Sequence, residues 1–266
     1  MRTLSLHKDV SVLLNVLKRS VATWTLWEWV ARRAPWRAGR RRAAKAFYAQ
    51  WIRAGDLVFD VGAHRGNRTE LFVALGARVV CLEPQRSCVQ HLSRRFRNNP
   101  NVIIVPKGVG EKDGTAQLSV CGDTTTISTL SNKWKTEGRF AATHRWTTSE
   151  TILLTTLDAL IARYGAPKFC KIDVEGSEEA VLKGLSQALP CLSFEFTKEF
   201  FGDAQRCMDR LCALGRTEFN YSIGESMRLF LPAWVSSERL SDMLQSSEDL
   251  LLWGDIYARS LSSPIA

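Results

Sequence analysis

The stretch LVFDVGAHRGN (57–67) decides the fold of this chain. Its first five residues form an apolar run of strand length, and Gly62 and Gly66 follow in a segment that leads into a predicted helix at Asn67. A strand, a glycine-containing turn and a helix N-terminus in succession are typical of the ligand-binding edge of a parallel α/β sheet. The glycines predict a tight turn and the close approach of a ligand.

Further strands and helices alternate on the C-terminal side of this stretch. The other predicted strands are RVVCLE (78–83), NVIIVP (101–106), KFCKID (168–173), LSFEF (192–196), FNYSI (219–223) and LLWGDIYA (251–258). Helices are predicted after the first two strands, at about 177–187 and at 236–245, and Asn67 with Glu70 predicts a capping box. Continuous apolar strands separated by helices indicate a doubly wound α/β fold with both sheet faces covered. The polar stretch 121–149 is expected to be an irregular lid or substrate wall.

The glycine spacing separates two classes of cofactor. A dinucleotide site has the pattern G-x-G-x-x-G, whereas this chain has G-x-x-x-G between Gly62 and Gly66. Asp60 stands two residues before the first glycine, where its carboxylate is expected to reach a cationic amino-acid group and would repel a pyrophosphate. Glu83 ends the second strand and is expected to accept hydrogen bonds from ribose hydroxyls. The pattern favours S-adenosylmethionine over a nicotinamide cofactor.

A second motif identifies a family resemblance. KIDVEG (171–176) on the fourth core strand precedes a helix containing EEAVLKG, with TTLDALI (155–161) before it and LSFEF (192–196) after it. Over residues 50–258 the sequence resembles the FkbM family of class I S-adenosylmethionine-dependent methyltransferases. The resemblance implies a Rossmann-like seven-stranded sheet of order 3-2-1-4-5-7-6 with the last strand antiparallel. It also implies methyl transfer to a hydroxyl of a sugar, a glycan or another natural product.

The predicted site follows from these motifs. The expected cofactor-binding residues are Asp60, Gly62, Ala63, His64, Gly66, Asn67, Glu83, Gly108 and Asp173. Asp173 and Glu175 end the fourth strand two residues apart, and either one is expected to orient or deprotonate the acceptor. Lys171 and Glu195 are expected to support them.

Other roles for these residues stay open. Two alternatives stay open for the carboxylates: capping of the following helix or a structural network, and, with Glu195, binding of a divalent ion, although no metal site is predicted. His64 is expected to hydrogen-bond backbone, and His144 is a further candidate base. Thr124–Thr126, Ser128 and Thr129 are expected either to line a polyol site or to form a solvated loop.

The sequence favours methylation of a hydroxyl over three rival functions. A nucleic-acid (RNA) methyltransferase of the amino-directed type would carry an Asp/Asn-Pro-Pro-aromatic motif where DVEG (173–176) stands. A cytosine-directed enzyme would carry Pro-Cys at that place, but Pro190-Cys191 enters the next strand. A nicotinamide oxidoreductase is disfavoured by the glycine spacing, and a non-catalytic cofactor-binding module by the presence of both motifs.

The charge of the chain is concentrated at its N-terminus. The 266 residues carry 36 Lys+Arg and 27 Asp+Glu, a net charge of +9, yet Asp9 and Glu28 are the only acids among residues 1–55. We therefore predict a basic, Trp-rich helical extension (1–52) and a methyltransferase domain (53–266). Trp24, Trp27, Trp29, Trp36 and Trp51 favour a cap that packs on the sheet, with a peripheral membrane anchor as the alternative.

The composition of the chain is that of a globular protein. The chain is 45% hydrophobic and 24% charged, which excludes a disordered or fibrous protein. Seven cysteines without zinc spacing predict buried free thiols in a reducing compartment, so the expected location is the cytoplasm or the inner membrane surface. The expected partner is a small-molecule or glycan acceptor, and a nucleic acid is not expected.

Overall fold

A computed structural model of the protein describes residues 36–122 and 124–261, and the side chains from residue 39 onward within these ranges. The chain divides into two compact units, Met1–Ala43 and Ala44–Ala266. Most of the predicted helical extension (1–52), including Trp24, Trp27 and Trp29, lies outside the described residues, as does the side chain of Trp36.

Strands and helices alternate along the described chain. The strands are β1 (Leu57–Val61), β2 (Arg78–Leu82), β3 (Val102–Val105), β4 (Gly108–Val109), β5 (Gly114–Cys121), β6 (Trp146–Thr155), β7 (Phe169–Ile172), β8 (Cys191–Thr197), β9 (Thr217–Ile223) and β10 (Trp253–Ser260). The α-helices are α1 (Trp36–Tyr48), α2 (Asn67–Ala74), α3 (Arg86–Arg95), α4 (Asn132–Thr136), α5 (Leu157–Tyr164), α6 (Glu178–Lys183), α7 (Phe201–Leu214) and α8 (Ser237–Gln245).

The main sheet has the predicted order. Its seven strands among the described residues run β3-β2-β1-β7-β8-β10-β9. Counted along the chain within this sheet, that order is 3-2-1-4-5-7-6, and β10 is antiparallel to both β8 and β9. The prediction of a Rossmann-like, doubly wound α/β fold is confirmed.

The sheet has an apolar core on each face. Phe59 and Val61 of β1 pack in the core that includes α5 to α8, whereas Val58 packs in the core that includes α1 and α2. Alternate residues of one strand therefore pack in opposite layers, as expected for a strand covered on both sides.

Six of the seven cysteines are buried free thiols, and Cys212 is exposed.

A second sheet was not predicted from the sequence. β4, β5 and β6 form three strands in the order β4-β6-β5. Much of β5 and β6 is exposed, so their sequences lack the continuous apolar run that revealed the main-sheet strands. The stretch 121–149 is also less irregular than expected, because it contains the 3₁₀ turn Thr125–Ile127, helix α4 and the first residues of β6.

The predicted capping box at α2 is wrong. The N-cap is Gly66 in a left-handed conformation, and no side chain caps the helix. Asn67 Oδ1 instead accepts a hydrogen bond from Arg95 at 3.1 Å, and Glu70 forms an ion pair with the same guanidinium. Arg95 on α3, which is distant in sequence, binds both side chains, so they do not form the local capping box. Helix α6 is also shorter than predicted, ending at Lys183.

Trp51 packs against the main sheet. Its ring is stacked on Phe169 of β7 and on Tyr257 of β10, with centroid distances of 5.6 and 5.2 Å. Phe47 packs edge-on against Trp51 at 5.0 Å. The segment that follows α1 is therefore joined to the sheet by aromatic contacts. Among the described residues, no helix is both long and apolar enough to cross a membrane.

Replacing Trp51 with alanine is expected to lower the free energy of unfolding by about 3 kcal/mol, since the stacked ring leaves a cavity between two aromatic neighbours. Urea denaturation measures the effect. The control is Leu250→Ala, whose side chain is 74% exposed and whose removal should change stability by less than about 0.5 kcal/mol. Equal stabilities of the two variants would contradict the packing role of Trp51.

Candidate functional site

The two glycines of the first loop are required by neighbouring protein atoms. Gly62 has φ +81°, and a Cβ on it would lie 1.8 Å from the carbonyl oxygen of Asp173. Gly66 has φ +78°, and its Cβ would lie 2.5 Å from the ring of Phe96. The glycines form the predicted turn and permit the close approach of β7's loop and of α3, whereas the approach of a ligand stays a prediction.

Asp60 lies away from the predicted position. Its side chain is on the face of β1 that α2 covers, is 2% exposed and accepts a hydrogen bond from Thr69 Oγ1 at 2.6 Å. Burial raises the pKa of this carboxyl group, against the hydrogen bond from Thr69 and the charge of Lys171. The position of Asp60 on β1 directs the carboxylate beneath the helix, and its contact with a cationic ligand stays a prediction.

Glu83 follows β2 and is held by two backbone donors. The amide of His64 donates to Oε2 and the amide of Gln85 donates to Oε1, each at 2.8 Å. Burial raises the pKa of Glu83 to about 7, although both hydrogen bonds favour the ionised form. The carboxylate is thus fixed in orientation at the carboxyl edge of the sheet.

A cavity opens at this edge, and we call it the first cavity. Five of the predicted cofactor residues line it: Gly62, His64, Glu83, Gly108 and Asp173. Four others do not: Asp60, Ala63, Gly66 and Asn67. The last four act in the structure of the loop and of α2, since Ala63 is buried in the core and Asn67 pairs with Arg95.

The 124–129 segment supplies a wall that the motifs did not identify. Thr125, Thr126 and Ser128 line the first cavity, and their contact with a polyol stays a prediction. Ser128 Oγ is buried and has no hydrogen-bond partner among the described residues. Its Thr/Ser-rich composition was the only sequence signal for this wall.

His64 connects the two walls of the first cavity. Its Nε2 lies 2.7 Å from Thr125 Oγ1, so the predicted hydrogen bond from the ring to backbone is wrong. Burial and the neighbouring Arg65 lower the pKa of His64 to about 4, so the ring is neutral near pH 7. Nδ1 of His144, the other candidate base, lies 2.9 Å from Thr143 Oγ1, and His144 does not line the first cavity.

Three carboxylates meet where β7 and β8 end, and we call them the acidic cluster. They belong to Asp173, Glu175 and Glu195, and an oxygen of each lies within 4.8 Å of the others. Lys171, 2% exposed, places its Nζ 2.8 Å from Asp173 and 3.6 Å from Asp255. The structure thus brings together all four residues predicted to take part in catalysis.

The acidic cluster separates the pKa values of its members. Burial alone would raise the pKa of Asp173, but the ammonium group of Lys171 outweighs it and the pKa is lowered. Burial and the nearby Asp173 raise the pKa of Glu175 well above its usual range. Burial and Glu175 do the same for Glu195. Asp173 is therefore the ionised member. Each of Glu175 and Glu195 is harder to ionise because the other carboxylates of the cluster are close by.

Local structure explains why Glu175 projects into this cluster. Its φ is +54°, and its carbonyl accepts a hydrogen bond from Thr129 Oγ1 at 2.6 Å. The N-cap of α6 is Ser177, which makes no side-chain capping hydrogen bond. Glu178 Oε1 accepts hydrogen bonds from the amides of Val174 and Gly176 in the loop before the helix. The carboxylates of Glu175 and Glu195 have no hydrogen-bond donor among the described residues. The three oxygens are spaced closely enough to share a divalent ion, but Lys171 already supplies a cation to Asp173.

A second cavity lies beyond the acidic cluster. Glu195 lines it together with residues of α4, α6 and α7, whereas Asp173 and Glu175 line the first cavity. The acidic cluster therefore stands between two cavities, one at the glycine loop and one at the end of β8. This arrangement suits a cofactor and a second substrate that meet at the carboxylates.

The residues of the first cavity fit a nucleoside bearing a cationic tail. Glu83 presents fixed carboxylate oxygens for hydroxyl donors, Ser128 offers an unpartnered hydroxyl, and the ionised Asp173 offers negative charge.

Solved structures of low sequence identity resemble the chain. The precorrin-6y C5,15-methyltransferase of Geobacter metallireducens is 10% identical, with 83% of this chain and 88% of that chain covered and a TM-score of 0.42. The O-methyltransferase of Bacillus cereus in complex with SAH is 13% identical, with 85% and 81% covered and a TM-score of 0.44. A putative rRNA methylase of Clostridium thermocellum is 9% identical, with 83% and 94% covered and a TM-score of 0.43. At these identities the likeness says nothing about the substrate.

A comparison with curated proteins found no match. The model of the methyltransferase FkbM domain matches residues 60–231, from the end of β1 to beyond β9. This range contains the glycine loop, Glu83 and the acidic cluster. The chain belongs to the FkbM family of class I S-adenosylmethionine-dependent methyltransferases.

Proposed function

We propose that this methyltransferase methylates a hydroxyl group on a sugar, a glycan or another natural product. The observation that carries the proposal is the acidic cluster, in which Lys171 holds Asp173 ionised while the pKa values of Glu175 and Glu195 are raised. An alcohol is a weak nucleophile that benefits from a base of raised pKa. Two carboxylates with separated pKa values suit two different tasks.

The roles follow from the position of each side chain. When bound, S-adenosylmethionine supplies a methyl group on a positively charged sulfonium sulfur. Glu83 would hold the ribose hydroxyls, and Asp173 would hold positive charge in the first cavity. Glu175, in its ionised form, would accept the proton of the acceptor hydroxyl and pass it to water. Lys171 keeps the charge on Asp173, and Glu195 orients the acceptor from the side of the second cavity.

The rival nucleic-acid function has less support. A surface that binds a polyanion is positively charged, whereas the ends of β7 and β8 carry three carboxylates beside Lys171. Cys191 stands at the start of β8, at the opposite end of the strand from the acidic cluster. It is 5% exposed, and burial raises the pKa of its thiol, which disfavours a thiolate nucleophile.

The test is formation of S-adenosylhomocysteine (SAH) from S-adenosylmethionine with a panel of acceptors. The panel contains sugars, lipid-linked glycans, hydroxylated polyketides and RNA, and mass spectrometry detects products heavier by one methylene. A methylated hydroxyl compound supports the proposal. Methylation of RNA alone supports the rival, and SAH binding without product from any acceptor indicates a cofactor-binding module.

Binding of SAH is expected to weaken about tenfold between about pH 8 and about pH 5.5. The pKa of Glu83 is about 7, and hydroxyl donors bind its ionised form, so affinity is lost as the pH falls through this value. Isothermal titration calorimetry measures the effect. Glu83→Gln should bind SAH weakly with a flat pH profile. A profile that persists in this variant would point instead to Glu178, whose pKa is also about 7.

A further inference from the structure

The second cavity has the size of a small-molecule site. Its volume is about 330 Å³, and it lies between α4, α6, α7 and the end of β8. Glu195 lines it, and the Glu195 carboxylate lies within 4.8 Å of those of Asp173 and Glu175. A ligand in this cavity can therefore reach the acidic cluster from the side opposite the first cavity.

Two residues that line the second cavity each carry a buried polar atom without a partner. Trp134 is 4% exposed and Thr197 is 5% exposed. Neither Trp134 Nε1 nor Thr197 Oγ1 has a hydrogen-bond partner among the described residues. Thr197 follows Glu195 by two residues on β8, so the two side chains share a strand face. Buried polar groups are rarely left unpaired in native proteins, and two in one cavity indicate polar groups of a ligand.

The other walls define the character of that ligand. Phe196 and Phe200 line the cavity with Trp134, and the rings of Trp134 and Phe200 lie 5.8 Å apart. The cations that line the cavity are already paired: Lys133 with Asp203, Lys183 with Glu179, and Arg206 with both acids. Glu111, Glu178 and Glu195 also line the cavity, so carboxylates outnumber cations there. Aromatic walls, paired cations and additional carboxylates suit a neutral ligand with an apolar face and several hydroxyl donors rather than an anion.

We propose that the second cavity is the acceptor site, which binds a neutral ring bearing several hydroxyls through Trp134 Nε1, Thr197 Oγ1 and Glu195. The indole N–H of Trp134 donates to one ligand oxygen, and the Thr197 hydroxyl donates to or accepts from a second ligand hydroxyl. The Glu195 carboxylate accepts from the ligand hydroxyl nearest the acidic cluster. The apolar face of the ring packs on the aromatic walls. This inference rests on the proposed function for its chemistry, but binding can be measured without turnover.

The test removes single polar atoms from the cavity. Thr197→Val and Trp134→Phe each delete one unpartnered group while keeping most of the side chain. Because these groups satisfy no protein partner, the melting temperature should stay the same or rise. The probes are methyl α-D-glucopyranoside, methyl α-L-fucopyranoside and myo-inositol, titrated by saturation-transfer NMR with and without SAH. Each variant is expected to weaken binding of the probes by about 3- to 10-fold.

A matched control is available on the same strand. Ser193 is fully buried and its Oγ also lacks a partner, but it does not line the second cavity. Ser193→Ala should therefore leave probe affinity unchanged. A further variant, Ala180→Leu, introduces bulk into the cavity from α6 without altering a polar group and should abolish probe binding while leaving SAH affinity unchanged.

The outcomes separate this inference from the proposed function. Lack of binding of all three probes to the wild-type protein overturns the assignment, as does equal affinity in Thr197→Val, Trp134→Phe and the wild type. Failure of the wild type to bind SAH, with probes still bound in a manner sensitive to Ala180→Leu, contradicts the proposed function and leaves the cavity assignment standing.

Discussion

Replacing Glu175 with glutamine is expected to lower kcat by about 100-fold or more while leaving SAH affinity within about twofold. Glutamine keeps the shape of the side chain but cannot accept the proton of the acceptor hydroxyl. Burial and Asp173 raise the pKa of Glu175, so the wild-type rate should rise with pH above the ordinary carboxyl range. The variant should lose that dependence.

Steady-state kinetics from about pH 5 to about pH 9 test this prediction with the acceptor found in the panel. The control is Glu218→Gln, which alters a surface carboxylate paired with Arg259 and lining neither cavity. Its rate should match the wild type. A Glu175→Gln enzyme that retains kcat within about threefold would remove Glu175 from proton transfer and leave Asp173 as the candidate.

Replacing Gly62 with alanine is expected to lower the free energy of unfolding by about 3–5 kcal/mol and to abolish SAH binding. The new Cβ would lie 1.8 Å from the carbonyl oxygen of Asp173, and φ of +81° disfavours a side chain in addition. Relief requires the loops after β1 and β7 to separate, and both line the first cavity. Chemical denaturation and calorimetry with SAH measure the two effects.

Gly55→Ala is the matched control for Gly62→Ala. Gly55 has a similar φ of +87°, but a Cβ there would meet no atom within 4 Å. Gly55→Ala should lower the free energy of unfolding by about 1 kcal/mol. This variant introduces backbone strain without a steric clash, so it measures the strain alone. If both variants lose the same stability, the close contact with the Asp173 carbonyl is not the reason that glycine is required at position 62.

Much of the fold was predictable because its strands are buried on both faces. Such strands appear as short, mostly apolar runs, and the sequence predicts a strand at each of the seven main-sheet positions. β5 and β6 are not predicted because they are largely exposed and contain both polar and apolar residues. Each of them is defined by its pairing with the other strand, which the sequence pattern does not show. The capping box failed for a related reason, since Arg95 on α3 draws Asn67 and Glu70 out of the local motif.

The sequence predicts which residue types form the candidate site, but not where each side chain points. Asp60 belongs to the expected motif, yet its position on β1 turns its carboxylate under α2 to Thr69. Glu83 was placed correctly, but its two backbone donors come from the folded loops and set its pKa near 7. Trp134 and Thr197 carry no motif, so only the cavity that they line distinguishes them.

The sequence by itself determined the family, the strand order that the family implies and the acidic residues at the ends of β7 and β8. These are properties of local patterns and motifs, which can be recognised before the chain is folded. Only the tertiary structure decided that Lys171 holds Asp173 ionised, that Glu175 and Glu195 compete for charge, and that the acidic cluster stands between two cavities. The reason is that charge, burial and empty space at a site depend on side chains brought together from distant parts of the chain.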